Sequence, residues 1–109
     1  DFKYVLIAAT AAGSGKPVHL VRGYVDCEYH ADVLEEALPP LEGAGYDNIR
    51  CVGGGRIKLE KGPPGQMVIY GTSDGFGRAD HDKTAAIFRQ LYGGSVQIEV
   101  RTADDAVSC

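Results

Sequence analysis

The chain has no long hydrophobic run. Its longest uninterrupted apolar stretch, Tyr4-Val5-Leu6-Ile7-Ala8-Ala9, is far short of the roughly 20 residues that cross a bilayer as a helix, so no helical membrane span is expected and the chain reads as soluble. It has no excess of positive charge. Eleven Lys and Arg stand against fifteen Asp and Glu, a net charge of -4, so no overall field gathers nucleic acid or anionic lipid, and any anion site must be local. Metal-ligand spacing is also missing. Cys27, Cys51 and Cys109 form no CxxC or Cys/His pair, and His19, His30 and His81 form no HxxxH, so neither a metal site nor a disulfide framework is expected and reduced thiols in the cytoplasm are the default. Internal repeats and low-complexity linkers are absent. No basic region followed by an apolar stretch and a cleavage site opens the chain, although it begins with Asp1 and an upstream segment is left open.

What remains has the proportions of one globular domain, residues 1–109, with 44% hydrophobic and 24% charged residues. Glycine is the outlier. Its 15 copies cluster at 13–15, 43–45, 53–55, 71–77 and 93–94 and punctuate the fold.

Phe2 to Ala9 reads as a central strand covered on both faces, and Val18 to Gly23 as a second strand. Val33, Leu34, Ala37, Leu38 and Leu41 mark an amphipathic helix starting near Tyr29 or His30, with a kink or break expected at Pro39-Pro40. Ile49 to Val52 and Arg56 to Glu60 read as two short strands separated by Gly53-Gly54-Gly55, and Gln66 to Tyr70 as another after a Gly62-Pro63-Pro64-Gly65 turn. A second helix is expected from about Asp80 to Tyr92, with Asp80 as its cap, Thr84, Ile87, Phe88 and Leu91 on one face, and Gly93-Gly94 at its end. Val96 to Val100 alternates as a strand with one wet face, and Thr102 to Cys109 reads as frayed. About six strands and two helices imply an α/β or α+β sheet with helical cover.

Three places could carry chemistry. Ala12 to Pro17 contains Gly13, Gly15 and Lys16 but lacks the leading glycine of a phosphate loop and has Pro17 where that motif has Ser or Thr, so it reads as a hairpin connection. His30 opens the first helix on the face of Val33 and Leu34. It is either a partly buried imidazole that fills space or a base or nucleophile kept unprotonated by the helix dipole. Tyr70 to Gly77, glycine-rich between a strand and a helix, is either an ordinary loop or a cradle of backbone N–H groups for an anion. Lys3, Arg22 and Arg56 stand where a side chain can reach a pocket, and His81 lies between Asp80 and Asp82.

Taken together, Phe2 to Ile7, Val21-Arg22-Gly23-Tyr24, Glu28-Tyr29-His30-Ala31-Asp32, Gly53-Gly54-Gly55-Arg56-Ile57, and Tyr70-Gly71 through Ser73, Gly77 and His81 resemble the phosphohistidine phosphatase family, also called janus/ocnus. The resemblance spans almost the whole chain. It implies a small, metal-independent and cofactor-free protein phosphatase acting on phosphohistidine, and in some members phospholysine, with a single α/β domain built on a mixed six-stranded sheet with two covering helices. It further implies His30 as the catalytic histidine, Ser73, Asp74 and Gly75 as the phosphate-binding loop, Lys3, Arg22 and Arg56 as basic residues around the pocket, and His81 as a second histidine of the site. Histidine-phosphorylated proteins and phosphate are the partners so implied, with a monomer expected and neither nucleic acid nor membrane. The alternative is a non-catalytic module that binds phosphate or phosphoproteins. Asp74, where the family carries an apolar or small residue, and Pro39-Pro40 depart from the pattern.

Overall fold

A computed structural model describes residues 1–62 and 65–101. Strand β1 (Phe2–Thr10) returns through a hairpin into β2 (Pro17–Gly23) and is followed by helix α1 (His30–Gly43). Strands β3 (Asp47–Glu60) and β4 (Gly65–Tyr70), helix α2 (His81–Tyr92), a 3-10 turn and strand β5 (Val96–Val100) complete the chain. The sheet order is β2-β1-β3-β4-β5, antiparallel except for the β4/β5 pair, which the α2 crossover makes parallel. Ala12 to Pro17 is a hairpin connection, closed by Ala11 N–H donating to the Lys16 carbonyl at 2.8 Å.

The unbroken apolar run of β1 is the signature of a strand covered on both sides, and Tyr4, Val5, Leu6 and Ile7 are all buried. Alternation then sorts them. Tyr4 and Leu6 pack with Ile57, Ile69 and Ala85 on the α2 side, whereas Val5 and Ile7 pack with Val33, Ala37 and Leu41 of α1 on the other. One helix therefore covers each face. Each fully buried Val, Leu or Ile contributes about 1.5–3 kcal/mol relative to exposure, so β1 supplies much of both cores.

Among the described residues, five strands build the sheet, not the six expected. The expected break at Gly53-Gly54-Gly55 does not occur: the glycines continue β3 from Asp47 to Glu60, with a register shift against β1 between Leu6 and Ile7. The reason is room rather than turning. A Cβ on Gly54 would stand 2.6 Å from His30 Cδ2, and one on Gly55 would stand 2.5 Å from His81 Cε1 and 2.7 Å from the Tyr70 carbonyl oxygen. Gly53, at φ 149°, lies against the Ala79 backbone in a conformation that only glycine adopts easily.

Of the kink or break expected at Pro39-Pro40, the break does not occur, because helix α1 runs through both prolines to Gly43. Both prolines are exposed. The carbonyls of Glu35 and Glu36, which would have received their missing N–H groups, belong to exposed residues that water can serve, while Leu41 is buried beyond them. Asp80 caps α2 as expected, accepting from Lys83 N–H at 3.2 Å, but Leu91 is exposed and outside the buried face. Pro63, Pro64 and the expected fraying of Thr102 to Cys109 lie outside the described residues.

Substituting Gly55→Ala forces a methyl into a space closed by backbone as well as by His81, and should cost about 1–3 kcal/mol as overpacking. Gly94→Ala, with open space around its Cα, should stay within about 0.5 kcal/mol. Urea melts of the two variants check the pair, and equal losses would show that the glycine run is not a packing requirement.

Candidate active site

The first turn of α1 is set by its own sequence. The Asp32 carboxylate reaches back to accept from the Tyr29 N–H at 3.2 Å, half of a reciprocal cap that fixes where the helix begins. His30 is thereby the first helical residue, and its side chain turns inward with those of Val33 and Ala37. The ring lies over Gly54 and is only 4% exposed.

His30 Nε2 is 2.8 Å from the Gly55 carbonyl oxygen. A carbonyl only accepts, so Nε2 carries the proton and Nδ1 carries the lone pair. Nδ1 is buried and, among the described residues, has no hydrogen-bond partner. Burial holds the imidazole below its ordinary pKa, and the nearby charges of Lys3 and Arg56 push the same way against the Gly55 bond and the Asp74 carboxylate. At neutral pH the ring is therefore uncharged, with a basic nitrogen available.

Around it, the first turn of α1 and the loop after β4 enclose a cleft of about 200 Å³ lined by Tyr29, His30, Ala31, Ser73, Gly75 and Phe76. The loop is held by its own bonds. Ser73 and Gly77 exchange backbone hydrogen bonds at 3.3 and 2.8 Å, Ser73 Oγ accepts from the Phe76 N–H at 3.2 Å, and Gly54 N–H donates to the Gly77 carbonyl at 2.9 Å. The Ser73 amide is thus committed to Gly77. Among the described residues, the amides of Asp74 and Gly75 have no such partner, and the first-turn amides of His30 and Ala31 have no acceptor within the helix. Of these, the amides of His30, Ala31 and Gly75 belong to residues that line the cleft.

Lys3 and Arg56 face each other across β1 and β3, on the side where His30 sits. Lys3 Nζ donates to the Glu28 carbonyl and lies 5.9 Å from the centre of the Tyr29 ring. Arg56 Nε pairs with the Asp1 carboxylate at 3.1 Å. Asp74 is exposed and not among the residues lining the cleft. Arg22 is placed elsewhere: its guanidinium donates to the Val21 carbonyl at 2.8 Å, in a separate cleft with Ile87, Phe88 and Leu91 of α2.

His81 lies beneath the sheet rather than in the cleft. It is 3% exposed, and both ring nitrogens are taken, Nδ1 by the Tyr4 hydroxyl at 2.6 Å and Nε2 by the Gly71 carbonyl at 2.8 Å. Reading the residues one by one missed Tyr4 as a polar partner, because its place in an apolar run marked it only as core. Also missed was the approach of Asp26, Cys27 and Glu36 to one another within 4.8 Å. The Cys27 thiol there is pushed up to about 11 by burial and by the Glu36 carboxylate, and so is protonated at neutral pH.

The sequence model of the Janus/Ocnus family (Ocnus) matches residues 1–95, which include every residue of the cleft. The chain belongs to the Janus/Ocnus family. Sex-regulated protein janus-A of Drosophila pseudoobscura pseudoobscura is 38% identical over 109 residues, covering 95% of this chain and 69% of that protein. Janus-A of Drosophila melanogaster is 38% identical over 92 residues, covering 84% of this chain and 65% of the relative. The 14 kDa phosphohistidine phosphatase of Sus scrofa is 39% identical over 96 residues, covering 84% and 75% respectively. This Janus/Ocnus chain thus spans about two thirds to three quarters of the length of these relatives.

The two buried imidazoles make stability depend on pH. Burial also lowers the pKa of His81, so at pH values between the folded pKa and the unfolded value of about 6.5 the unfolded chain binds more protons. Stability is therefore complete above about pH 6.5 and declines as the pH falls through that window. His81→Gln should lower the overall stability and flatten this slope, as followed by urea melts from pH 7.5 to 5. A slope unchanged by the substitution would show that His81 is not one of the groups responsible.

Proposed function

We propose that this chain is a metal-independent protein phosphatase that hydrolyses the P–N bond of phosphohistidine. The observation that carries the reading is His30: a buried, neutral imidazole whose proton is held on Nε2 by Gly55, leaving Nδ1 as an unused base. The name of the pig relative supports the substrate class.

Phosphoryl transfer asks a protein mainly to position the group and to neutralise its charge. The phosphoryl group would enter between the α1 first turn and the loop, with its equatorial oxygens held by the amides of Asp74 and Gly75 and by those opening α1. Lys3 and Arg56 add positive charge from the neighbouring strands. His30 Nδ1 takes a proton from a water as that water's oxygen bonds to phosphorus. The P–N bond breaks as the O–P bond forms; the substrate imidazole, already protonated on its other ring nitrogen, leaves as neutral imidazole with the electron pair of that bond, and the proton taken by His30 Nδ1 passes to solvent. Direct attack by Nδ1, giving a phosphorylated His30, is the competing route. Rapid quench with labelled substrate separates the two, since only the second leaves label on the protein.

Expected outcomes are specific. His30→Ala should lower kcat by about 10²–10⁴-fold in a folded protein, read as phosphate release from a phosphohistidine peptide by phosphorus NMR. EDTA should leave wild-type turnover unchanged, and recovery of a lost activity by a divalent ion would overturn the metal-independent reading. The pH profile of kcat/KM should rise through a pKa below the ordinary histidine value and then level, because the neutral ring is the active form. Asp74→Ala should tighten inorganic phosphate by about twofold to fivefold, the scale of an exposed charge, and titration would show unchanged affinity if the carboxylate turns away.

A further inference from the structure

Tyr4 is the most buried hydroxyl-bearing aromatic of the chain, at 0% exposure, and its position beneath the sheet gives it no contact with a substrate. Its hydroxyl is 2.6 Å from His81 Nδ1 and 2.9 Å from Thr84 Oγ1. The Gly71 carbonyl can only accept, so His81 Nε2 bears the proton and Nδ1 must accept. Tyr4 is then the donor to Nδ1, so the 2.9 Å bond from Thr84 Oγ1 must be donated to Tyr4, in preference to the longer 3.4 Å approach of the same hydroxyl to the Asp80 carbonyl. The bonds run in one direction, from Thr84 through Tyr4 and His81 to Gly71.

The far end of that chain is where the loop of the cleft begins. Gly71, at φ 77°, turns the backbone out of β4 toward Ser73 and Gly75. The same His81 ring closes over Gly55, whose carbonyl orients His30 on the opposite face. A single imidazole therefore touches both backbone groups that set the cleft, the carbonyl that starts its loop and the residue that holds its base.

We propose that Tyr4 is a positioning residue: by donating to His81 Nδ1 it selects the tautomer that clamps Gly71, and so holds the loop of residues 71–77 in register with His30. Without that donor the proton can move to Nδ1, and a lone pair on Nε2 then meets a carbonyl lone pair. The clamp becomes a repulsion. This rests on the phosphatase reading for its kinetic consequence, but not for its structural one.

The test combines spectra and kinetics. In the wild type, long-range nitrogen–proton NMR of the imidazoles should show His81 protonated on Nε2 alone, and a proton on Nδ1 would overturn the proposal before any variant is made. Tyr4→Phe should give a tautomer mixture at His81, weaken the amide shifts of Asp74 and Gly75 on titration with inorganic phosphate, and lower kcat/KM for a phosphohistidine peptide about tenfold. The decisive comparison is with His81→Gln, whose amide donates to Gly71 with no tautomer to choose. In that background Tyr4→Phe should change kcat/KM less than twofold, a non-additivity that packing alone does not produce. Equal losses in both backgrounds, or none in either, would overturn it. Thr84→Val leaves Tyr4 with His81 as its only partner and should keep the tautomer and kcat/KM within twofold; should Tyr4→Phe not fold, a tautomer mixture in Thr84→Val serves as the overturning result. If wild type releases no phosphate while Tyr4→Phe still weakens the phosphate-induced shifts, the phosphatase reading fails and the positioning role stands.

Discussion

The Gly54-Gly55 peptide is held between two imidazoles, and the rest of the structure is arranged to let that happen. His30 descends from α1 onto one face and His81 rises from α2 onto the other, each so close that a methyl group on the strand would collide with it. The strand can approach no other way, because a side chain on either residue would lift a helix end off the sheet. Covering each face with one helix is thus more than a means of burying β1. It aims two histidines at the same few backbone atoms.

Each imidazole answers its surroundings differently, although burial acts on both. His81 has both nitrogens engaged and behaves as a structural link between Tyr4 and the Gly71 carbonyl. His30 has one nitrogen engaged and one that, among the described residues, is without a partner. A buried polar atom left unpaired carries a cost of about 1–3 kcal/mol, and the fold accepts that cost beside a small cleft. Charge is managed locally as well. A chain of net charge -4 still places the charges of Lys3 and Arg56 close enough to His30 to help keep its ring unprotonated.

Much of this was legible in the residues themselves. The apolar run of β1, the stripe from Val33 to Leu41, the Asp80 cap and the alternation of Val96 to Val100 each follow from local periodicity or capping chemistry, and each stands where it was expected. His30 was visible as the inward residue of a first turn, and the loop after β4 as a run of glycines and small polar groups. The failures share a cause. The glycines at 53–55 suggest a gap between strands and the prolines at 39–40 a kink or break in the helix, and neither gap nor break occurs, because sequence shows what a residue disfavours but not what its neighbours require or what water can supply. Leu91 failed in the same way, since a helical stripe does not reveal where the opposing sheet ends.

The sequence by itself determined most of the elements and their faces, a start of α1 near Tyr29 or His30 and the chemical types available to the site, because these depend on groups a few residues apart. Only the tertiary structure decided that six expected strands are five and that Arg22 lies in another cleft. Likewise, only it decided that Tyr4 serves His81 and that His30 presents Nδ1. Those outcomes rest on contacts between groups 25 to 77 residues apart, where the direction of a hydrogen bond and the space left by a missing side chain are set by packing, which no local pattern encodes.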